Sequence, residues 1–195
     1  MKTNSAPFDL IHGCQRLFRQ ILHAMANPGI WVDCPDLSGE FHRDGLLLPL
    51  LLTLCDPEAS YWLSNCPVDL AQEVALLCGA REASLGEADF VFVTEDLEAH
   101  TVLRQVRPGS FLDPHDSATI FILLSPYEEM ALGIQQQKIH GPGIPPGGRV
   151  IELPHSALTW LHVRRELAFE YPLGVDLVLV HPDGKLLALP RTTKG

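Results

Sequence analysis

The chain has 195 residues, which is enough for one compact domain with an ordinary hydrophobic core. Hydrophobic residues make up 46% of the chain and charged residues 19%, a composition that excludes an intrinsically disordered protein. Lys and Arg total 14 against 24 Asp and Glu, which gives a net charge of −10. Because this charge opposes attraction to polyanions, we expect no nucleic-acid partner and no anionic membrane partner.

The N-terminal residues lack the apolar stretch of a signal peptide. The longest apolar run, residues 46–55, is interrupted by Pro49 and is about half the ~20 residues that a membrane span requires. No pair of cysteines has the CxxC spacing of zinc sites and redox dithiols, so we expect buried, reduced thiols. The five cysteines are Cys14, Cys34, Cys55, Cys66 and Cys78. These features predict a cytoplasmic protein.

The first predicted element is an amphipathic helix over residues 9–26, because its apolar residues recur at steps of three and four. Residues 27–29, Asn-Pro-Gly, end this helix, since proline disfavours helical geometry before it and glycine tolerates a reversed backbone. Arg16, Arg19 and His23 share a different face. That face is either a solvated helix surface or a cationic stripe facing an anion or an acidic partner.

Helices and strands alternate through the rest of the chain without a break in composition. Further helices are predicted over residues 44–55, 67–79, 95–106 and 154–169, and strands over residues 60–63, 89–94, 118–124, 134–139, 175–180 and 185–189. The apolar run 118–124 is typical of a strand buried on both faces, and the polar run 134–139 of an edge strand. We predict a single α/β domain over residues 1–195, a mixed β-sheet flanked by helices on both faces, with residues 191–195 as a short C-terminal tail.

The glycine- and proline-rich stretch 141–149 has the glycine spacing of a phosphate-binding loop. Such a loop directs successive backbone N–H groups at the phosphates, and Pro145 and Pro146 lack those donors. Arg149 replaces the lysine of the motif and Val150 the hydroxyl that binds magnesium. A nucleotide-hydrolysing loop is therefore rejected. Two interpretations remain, a rigid connection between strands or one wall of a binding cleft.

A second polar stretch follows the last apolar strand. Arg191, Thr192 and Thr193 supply directional donors for a phosphate or a carboxylate, and ligands often bind at the ends of strands in α/β sheets. The alternative is an ordinary surface tail. Asp176, at the start of the preceding strand, is either a turn cap or the partner of a nearby arginine.

The sequence contains no motif typical of a catalytic centre. There is no Gly-x-Ser-x-Gly nucleophile elbow, and the nine histidines form neither His-x-x-x-His nor His-Glu-x-x-His. Away from the chain ends, Lys138 and Lys185 are the remaining candidates for a Schiff base, and neither lies in an activating setting. We therefore predict no catalytic residue, no metal site and no cofactor.

Six short stretches together resemble one known family. They are residues 18–19 (Phe-Arg), 24–29 (Ala-Met-Ala-Asn-Pro-Gly), 52–56 (Leu-Thr-Leu-Cys-Asp), 141–144 (Gly-Pro-Gly-Ile), 171–176 (Tyr-Pro-Leu-Gly-Val-Asp) and 189–193 (Leu-Pro-Arg-Thr-Thr). The pattern is similar to the H component of the bacterial carbon–phosphorus lyase system, which degrades phosphonates. The stretches span nearly the whole chain in the expected order, and Tyr171 stands where the family commonly has phenylalanine.

This resemblance implies an α/β fold related to the large domain of pyridoxal-phosphate (PLP)-dependent transferases, without the cofactor-binding lysine. It also implies a homodimer that joins the G, I and J components of the lyase in a core complex, with a functional link to the L component. The complex would form α-D-ribose 1-methylphosphonate 5-triphosphate from ATP and methylphosphonate with release of adenine. The transfer is usually assigned to the I component, so the H component is expected to be structural or to assist.

Eight residues are therefore candidates for contact with an anionic ligand or a neighbouring subunit: Arg16, Arg19, Gly141, Gly143, Asp176, Arg191, Thr192 and Thr193. The first helix and the apolar strands are expected to contribute to subunit contacts. Two other functions remain open, a stand-alone small transferase or hydrolase and an anion-binding module without partners.

Overall fold

Short, strongly apolar strands form the centre of the structure, a computed structural model that describes residues 8–37, 43–64, 68–94, 97–125 and 133–195. The strands are β1 (Val32–Asp33), β2 (Ser60–Leu63), β3 (Arg81–Glu82), β4 (Phe90–Thr94), β5 (Thr119–Leu123), β6 (Ile134–Ile139), β7 (Arg149–Pro154), β8 (Asp176–His181) and β9 (Lys185–Leu189). The helices are α1 (His12–Ala26), α2 (Leu48–Leu54), α3 (Val68–Cys78), α4 (Ala99–Leu103) and α5 (His155–Glu166). The strands predicted from residues 60–63 and 185–189 have the observed bounds.

The main sheet of the described residues has seven strands in the order β1-β9-β8-β5-β4-β2-β3. Strands β3, β2, β4, β5 and β8 run parallel. At one edge β9 pairs antiparallel with β8, and β1 pairs antiparallel with β9. At the centre, Phe121 of β5 is in register with Phe92 of β4 and Val178 of β8. These pairings confirm the predicted mixed sheet.

Helices cover both faces of this sheet, as predicted. Side chains alternate along β5, so Ile120 and Ile122 face α4 and α5 while Phe121 and Leu123 face α1, α2 and α3. The rings of Phe92 and Phe121 stack with their centroids 5.0 Å apart. The two hydrophobic layers belong to one α/β domain.

Two predicted helices differ from the observed ones. The helix predicted over residues 44–55 opens with a π-helical turn, Arg43–Leu47, and only Leu48–Leu54 is α-helical. Helix α4 is five residues long, shorter than the predicted range 95–106, and residues 95–96 lie outside the described part of the chain. Among the helices described, none is long and apolar enough to cross a membrane.

The polar strand predicted over residues 134–139 is not an edge of the main sheet. It is β6, and it pairs antiparallel with β7 in a separate two-stranded sheet. The sequence analysis missed β7, although Ile151 and Leu153 are buried while Val150 and Glu152 are exposed, the alternation of a half-covered strand. The glycine- and proline-rich stretch between the two strands is therefore their connection, the first of the two interpretations.

Candidate functional site

Residues 191–195 were predicted to be a tail, and they do leave strand β9, but they return to the body of the protein. The backbone N–H of Thr193 donates to the carbonyl oxygen of Pro190 over 2.8 Å, which turns the chain. His140 and Lys194 then exchange backbone hydrogen bonds of 2.7 and 2.8 Å in an antiparallel bridge. Thr193 is only 5% exposed as a result.

Asp176 and Arg191 form an ion pair at the base of this segment. Strands β8 and β9 are antiparallel neighbours with Leu177 opposite Leu189, a register that places Asp176 beside Arg191. Arg191 Nη2 lies 2.9 Å from Asp176 Oδ2, and the backbone N–H of Arg191 donates to Asp176 Oδ1 over 2.6 Å. Arg191 Nη1 also donates to the carbonyl oxygen of Pro114 over 2.6 Å. Asp176 is thus the partner of an arginine and not a turn cap.

The glycines of the matched stretches allow the backbone to approach these residues closely. Gly141 has a φ of +145°, and a Cβ there would lie 2.8 Å from the carbonyl oxygen of Thr192. We call Gly141, Asp176, Arg191, Thr192 and Thr193 the C-terminal cluster. The structure therefore brings together five of the eight predicted contact residues.

Gly143 serves a different junction. Its φ is +76°, and a Cβ there would lie 2.7 Å from the carbonyl oxygen of Ala26 at the end of α1. Arg149, at the start of β7, donates from Nη1 to the carbonyl oxygen of Pro28. The loop between β6 and β7 is thereby attached to the Asn-Pro-Gly turn that ends α1, so two matched stretches meet here as well.

The sequence analysis missed Arg164, the most buried cation near the C-terminal cluster. Arg164 is 6% exposed and donates to the carbonyl oxygens of Val175, Leu189 and Thr193. Burial lowers the pKa of its guanidinium to about 10, with Asp176 acting in the opposite direction, so Arg164 stays charged at neutral pH. Arg164 lies four residues after the buried Trp160, on the same face of the helix. This spacing was the sequence feature that indicated its burial.

Arg16 and Arg19 lie apart from the C-terminal cluster, on helix α1. Arg16 forms a bidentate pair with Asp36 at 2.7 and 3.0 Å, so this part of the face is an internal contact. Arg19 is exposed. Arg16 is ten residues before Ala26, about 15 Å along the helix axis. The cationic stripe and the C-terminal cluster are therefore separate features.

Helix α1 presents one exposed apolar surface among the described residues. The central side chains of β4, β5 and β8 are buried in the core and are not exposed for contact, so the predicted contribution of the apolar strands to subunit contacts stays a prediction. Ile11, at the N-cap of α1, is 76% exposed, and Phe18 and Leu22 on the helix are 45% and 52% exposed. These three side chains lie at spacings of seven and four residues and share one face.

The buried thiols have the properties of core residues. Burial raises the pKa of Cys34 to about 12, and it also raises the pKa of Cys55, so both thiols are neutral at physiological pH. A neutral thiol is a poor nucleophile. Within the described residues, no group of three or more His, Cys, Asp or Glu side chains is arranged to hold a metal ion.

Two of the recesses on the described surface lie near the residues discussed above. One, of about 220 Å³, lies between the C-terminal end of α5 and residues 191–195. The other, of about 690 Å³, is a groove between the β6–β7 hairpin and strands β8 and β9, lined by Trp31, His181, Glu152 and Lys185 among others. The ring of Trp31 meets that of His181 edge to face, with the centroids 6.0 Å apart.

These observations define the class of protein. It is an α/β scaffold in which residues of the matched stretches hold the C-terminal segment and the β6–β7 hairpin in place. The chain matches the family model described as "Bacterial phosphonate metabolism protein (PhnH)" over residues 7–195. It is also 31% identical over 181 residues to the C-P lyase subunit protein HtxG of Stutzerimonas stutzeri, covering 92% of this chain and 84% of that protein. The chain therefore belongs to the PhnH family, which confirms the resemblance drawn from its motifs.

Proposed function

We propose that this chain is an accessory subunit of a carbon–phosphorus lyase complex in phosphonate catabolism. Its role is to assist the formation of α-D-ribose 1-methylphosphonate 5-triphosphate from ATP and methylphosphonate, with release of adenine. Membership of the PhnH family supports the pathway, and the relative from S. stutzeri is itself named as a lyase subunit. The stand-alone transferase or hydrolase and the partner-free binding module are the competing functions.

An accessory role is supported by what the residues of the matched stretches do in the structure, which is to bind other parts of this chain. Arg191 and Asp176 bind each other, and Gly141 and Gly143 admit close backbone contacts. Arg164, which is outside the matched stretches, binds three carbonyl oxygens beside them. Residues engaged in this way fix the shape of a protein. A rigid surface that completes a neighbouring protein's site is the function that such an arrangement serves best.

The partners of this proposal are a second copy of the chain and the G, I and J components of the lyase, with a functional link to the L component, in the cytoplasm. The exposed apolar face of α1 is the surface that we assign to such contacts, because Ile11, Phe18 and Leu22 leave it unusually apolar for a surface helix. The likeness to the large domain of PLP-dependent transferases is part of the same proposal. It is supported by the parallel centre of the sheet and the helices on both faces.

Co-purification tests the proposal directly. The full chain with an affinity tag, co-expressed with the G and I components, is expected to retain both through gel filtration. Phe18→Lys on α1 is expected to weaken that association. Leu76→Lys on α3 is the matched control, since Leu76 is 85% exposed and lies on another helix. Failure of the wild-type chain to retain either component would contradict the proposal.

A further inference from the structure

Positive charge is concentrated at one place in a chain whose net charge is −10. The 220 Å³ recess beside α5, which we call the cationic cavity, is lined by Arg164, Arg165, Arg191 and Lys194. These are four of the chain's 14 lysines and arginines. No Asp or Glu is among the described residues that line it. An acidic protein that gathers cations around one concave surface creates a local attraction for anions.

The charges of this cavity are compensated unequally. Arg191 is neutralised by Asp176, which lies outside the lining. Arg164 is 6% exposed, and its hydrogen-bond acceptors among the described residues are three neutral carbonyl oxygens. Arg165 donates from Nη1 over 2.7 Å to an oxygen of Gly195, the last residue of the sequence, so this cation already has an acceptor in the lining. Asp176 acts on Arg164 only through space, and none of the hydrogen-bond acceptors of Arg164 among the described residues is charged, so an anion in this cavity would add a directly bonded opposite charge.

Donor capacity remains for such an anion. A guanidinium has five N–H bonds, and the three carbonyl contacts of Arg164 leave two of them. Thr193 lines the same cavity at 5% exposure, and its hydroxyl has no hydrogen-bond partner among the described residues. A buried hydroxyl without a partner is costly, and rotation of the Thr193 side chain toward the cavity would let a bound oxyanion accept its hydrogen bond.

The rest of the lining is apolar. Leu161, Phe169 and Leu173 supply the large apolar side chains of the lining. The volume corresponds to about seven water molecules at ~30 Å³ each, which admits a tetrahedral oxyanion together with a short alkyl substituent. A free inorganic ion has no apolar group that could contact these side chains. An organic phosphorus anion has both a charged end and an apolar end, and so matches both parts of the lining.

We infer that the cationic cavity binds a small tetrahedral phosphorus dianion that carries a short apolar substituent. The oxygens face Arg164, Arg165 and Lys194, and the substituent faces Phe169 and Leu173. Two sources share this chemistry, an alkylphosphonate and an alkyl phosphate ester. We assign the alkylphosphonate, an assignment that rests on the proposed function in phosphonate catabolism.

Titration calorimetry on the isolated full chain tests this inference, with methylphosphonate, methyl phosphate and inorganic phosphate as three separate ligands. We expect methylphosphonate to bind and inorganic phosphate to bind more weakly. Arg165→Gln and Lys194→Gln are each expected to weaken binding about tenfold, since each removes one charge-assisted contact. Arg104→Gln is the matched control, an exposed arginine outside the cavity, and is expected to bind as the wild type does.

Three results would overturn the inference. They are no binding of either organic ligand at millimolar concentration, binding of inorganic phosphate alone, and equal loss in Arg104→Gln and the two cavity variants. Tighter binding of methyl phosphate than of methylphosphonate would overturn the assignment to phosphonates. The urea midpoint of each variant shows whether it is folded. Because the titration uses the chain alone, its failure leaves co-purification with the G and I components unaffected, and the reverse also holds.

Discussion

Arg191 binds Asp176 with both its backbone and its side chain. Its N–H donates to Oδ1 over 2.6 Å, and its Nη2 lies 2.9 Å from Oδ2. The side chains are 20% and 11% exposed, so water screens the pair only partly. The pair joins the start of β8 to the segment after β9, and it therefore fixes where residues 192–195 lie.

Replacing Arg191 with alanine leaves the Asp176 carboxylate nearly buried without its cation. We expect Arg191→Ala to lower the free energy of unfolding by about 2–3 kcal/mol, the cost of breaking one half of a largely desolvated pair. Urea denaturation measures this loss. Arg104→Ala, at an exposed arginine, is expected to change stability by less than about 0.5 kcal/mol. Equal stability of Arg191→Ala and wild type would show that the pair is not structural.

Gly143 and Gly147 offer a matched pair of substitutions in one loop. At Gly143, φ is +76° and a Cβ would lie 2.7 Å from the carbonyl oxygen of Ala26, whereas a Cβ at Gly147 meets nothing within 4 Å. We expect Gly143→Ala to cost about 2 kcal/mol or more, because left-handed geometry and a backbone contact oppose it together. Gly147→Ala is expected to be close to neutral. Thermal unfolding measures the stability of the two variants. Similar losses of stability in both would contradict this account of the loop.

The lowered pKa of Asp89 predicts that part of the protein's stability is lost in acid. Burial by itself raises the pKa of its carboxyl, but the hydroxyl and N–H of Ser60 together with Arg107 outweigh burial, so the pKa lies below its usual value. A carboxyl whose pKa is lower in the folded state stabilises the protein above the unfolded pKa, about 4, and this stability is lost as the pH falls through the folded pKa.

The test is urea unfolding of wild type and Asp89→Asn as a function of pH. The wild type is expected to be the more stable at pH 7, and the difference is expected to shrink as the pH falls below about 4. Asp113→Asn, at an exposed aspartate, is the control and is expected to follow the wild-type profile. A constant difference between Asp89→Asn and wild type across that range would refute the assignment.

Thiol accessibility tests the buried cysteines. Burial raises the pKa of Cys34 to about 12 and that of Cys55 further, so neither is a thiolate at pH 8. We expect iodoacetamide to leave Cys34 and Cys55 unlabelled in the native protein and to label both in urea. Mass spectrometry of the peptides locates the label, with the less buried Cys78 as the internal comparison. Rapid native labelling of Cys55 would show that the core opens there.

Apolar patterning predicted most of the central sheet. Residues 60–63, 89–94, 118–124 and 185–189 are rich in apolar residues, and each is a strand in the structure. The same reasoning missed β7, because the glycines and prolines before Arg149 are typical of a loop and obscured the alternation after it. It predicted β6 as an edge strand but not its pairing with β7 in a separate sheet, since strand pairing depends on packing that a local pattern does not contain.

The candidate site was predicted in part. Arg191 and Asp176 were recognised by their chemistry, and the register of β8 with β9 explains why they meet. Arg164 was missed because an arginine in a helix is usually solvated, and only its spacing from Trp160 indicated burial. Arg16 is paired with Asp36, a contact between residues twenty positions apart that no periodicity predicts.

The central claim is that this chain assists a reaction carried out by a complex. The most direct measurement is the formation of the ribose phosphonate triphosphate from ATP and methylphosphonate, followed by ³¹P NMR, with the purified components added singly and together. We predict no product from this chain alone, and product from the partner proteins that rises when this chain is added. Sustained turnover of ATP and methylphosphonate by this chain alone would contradict the claim.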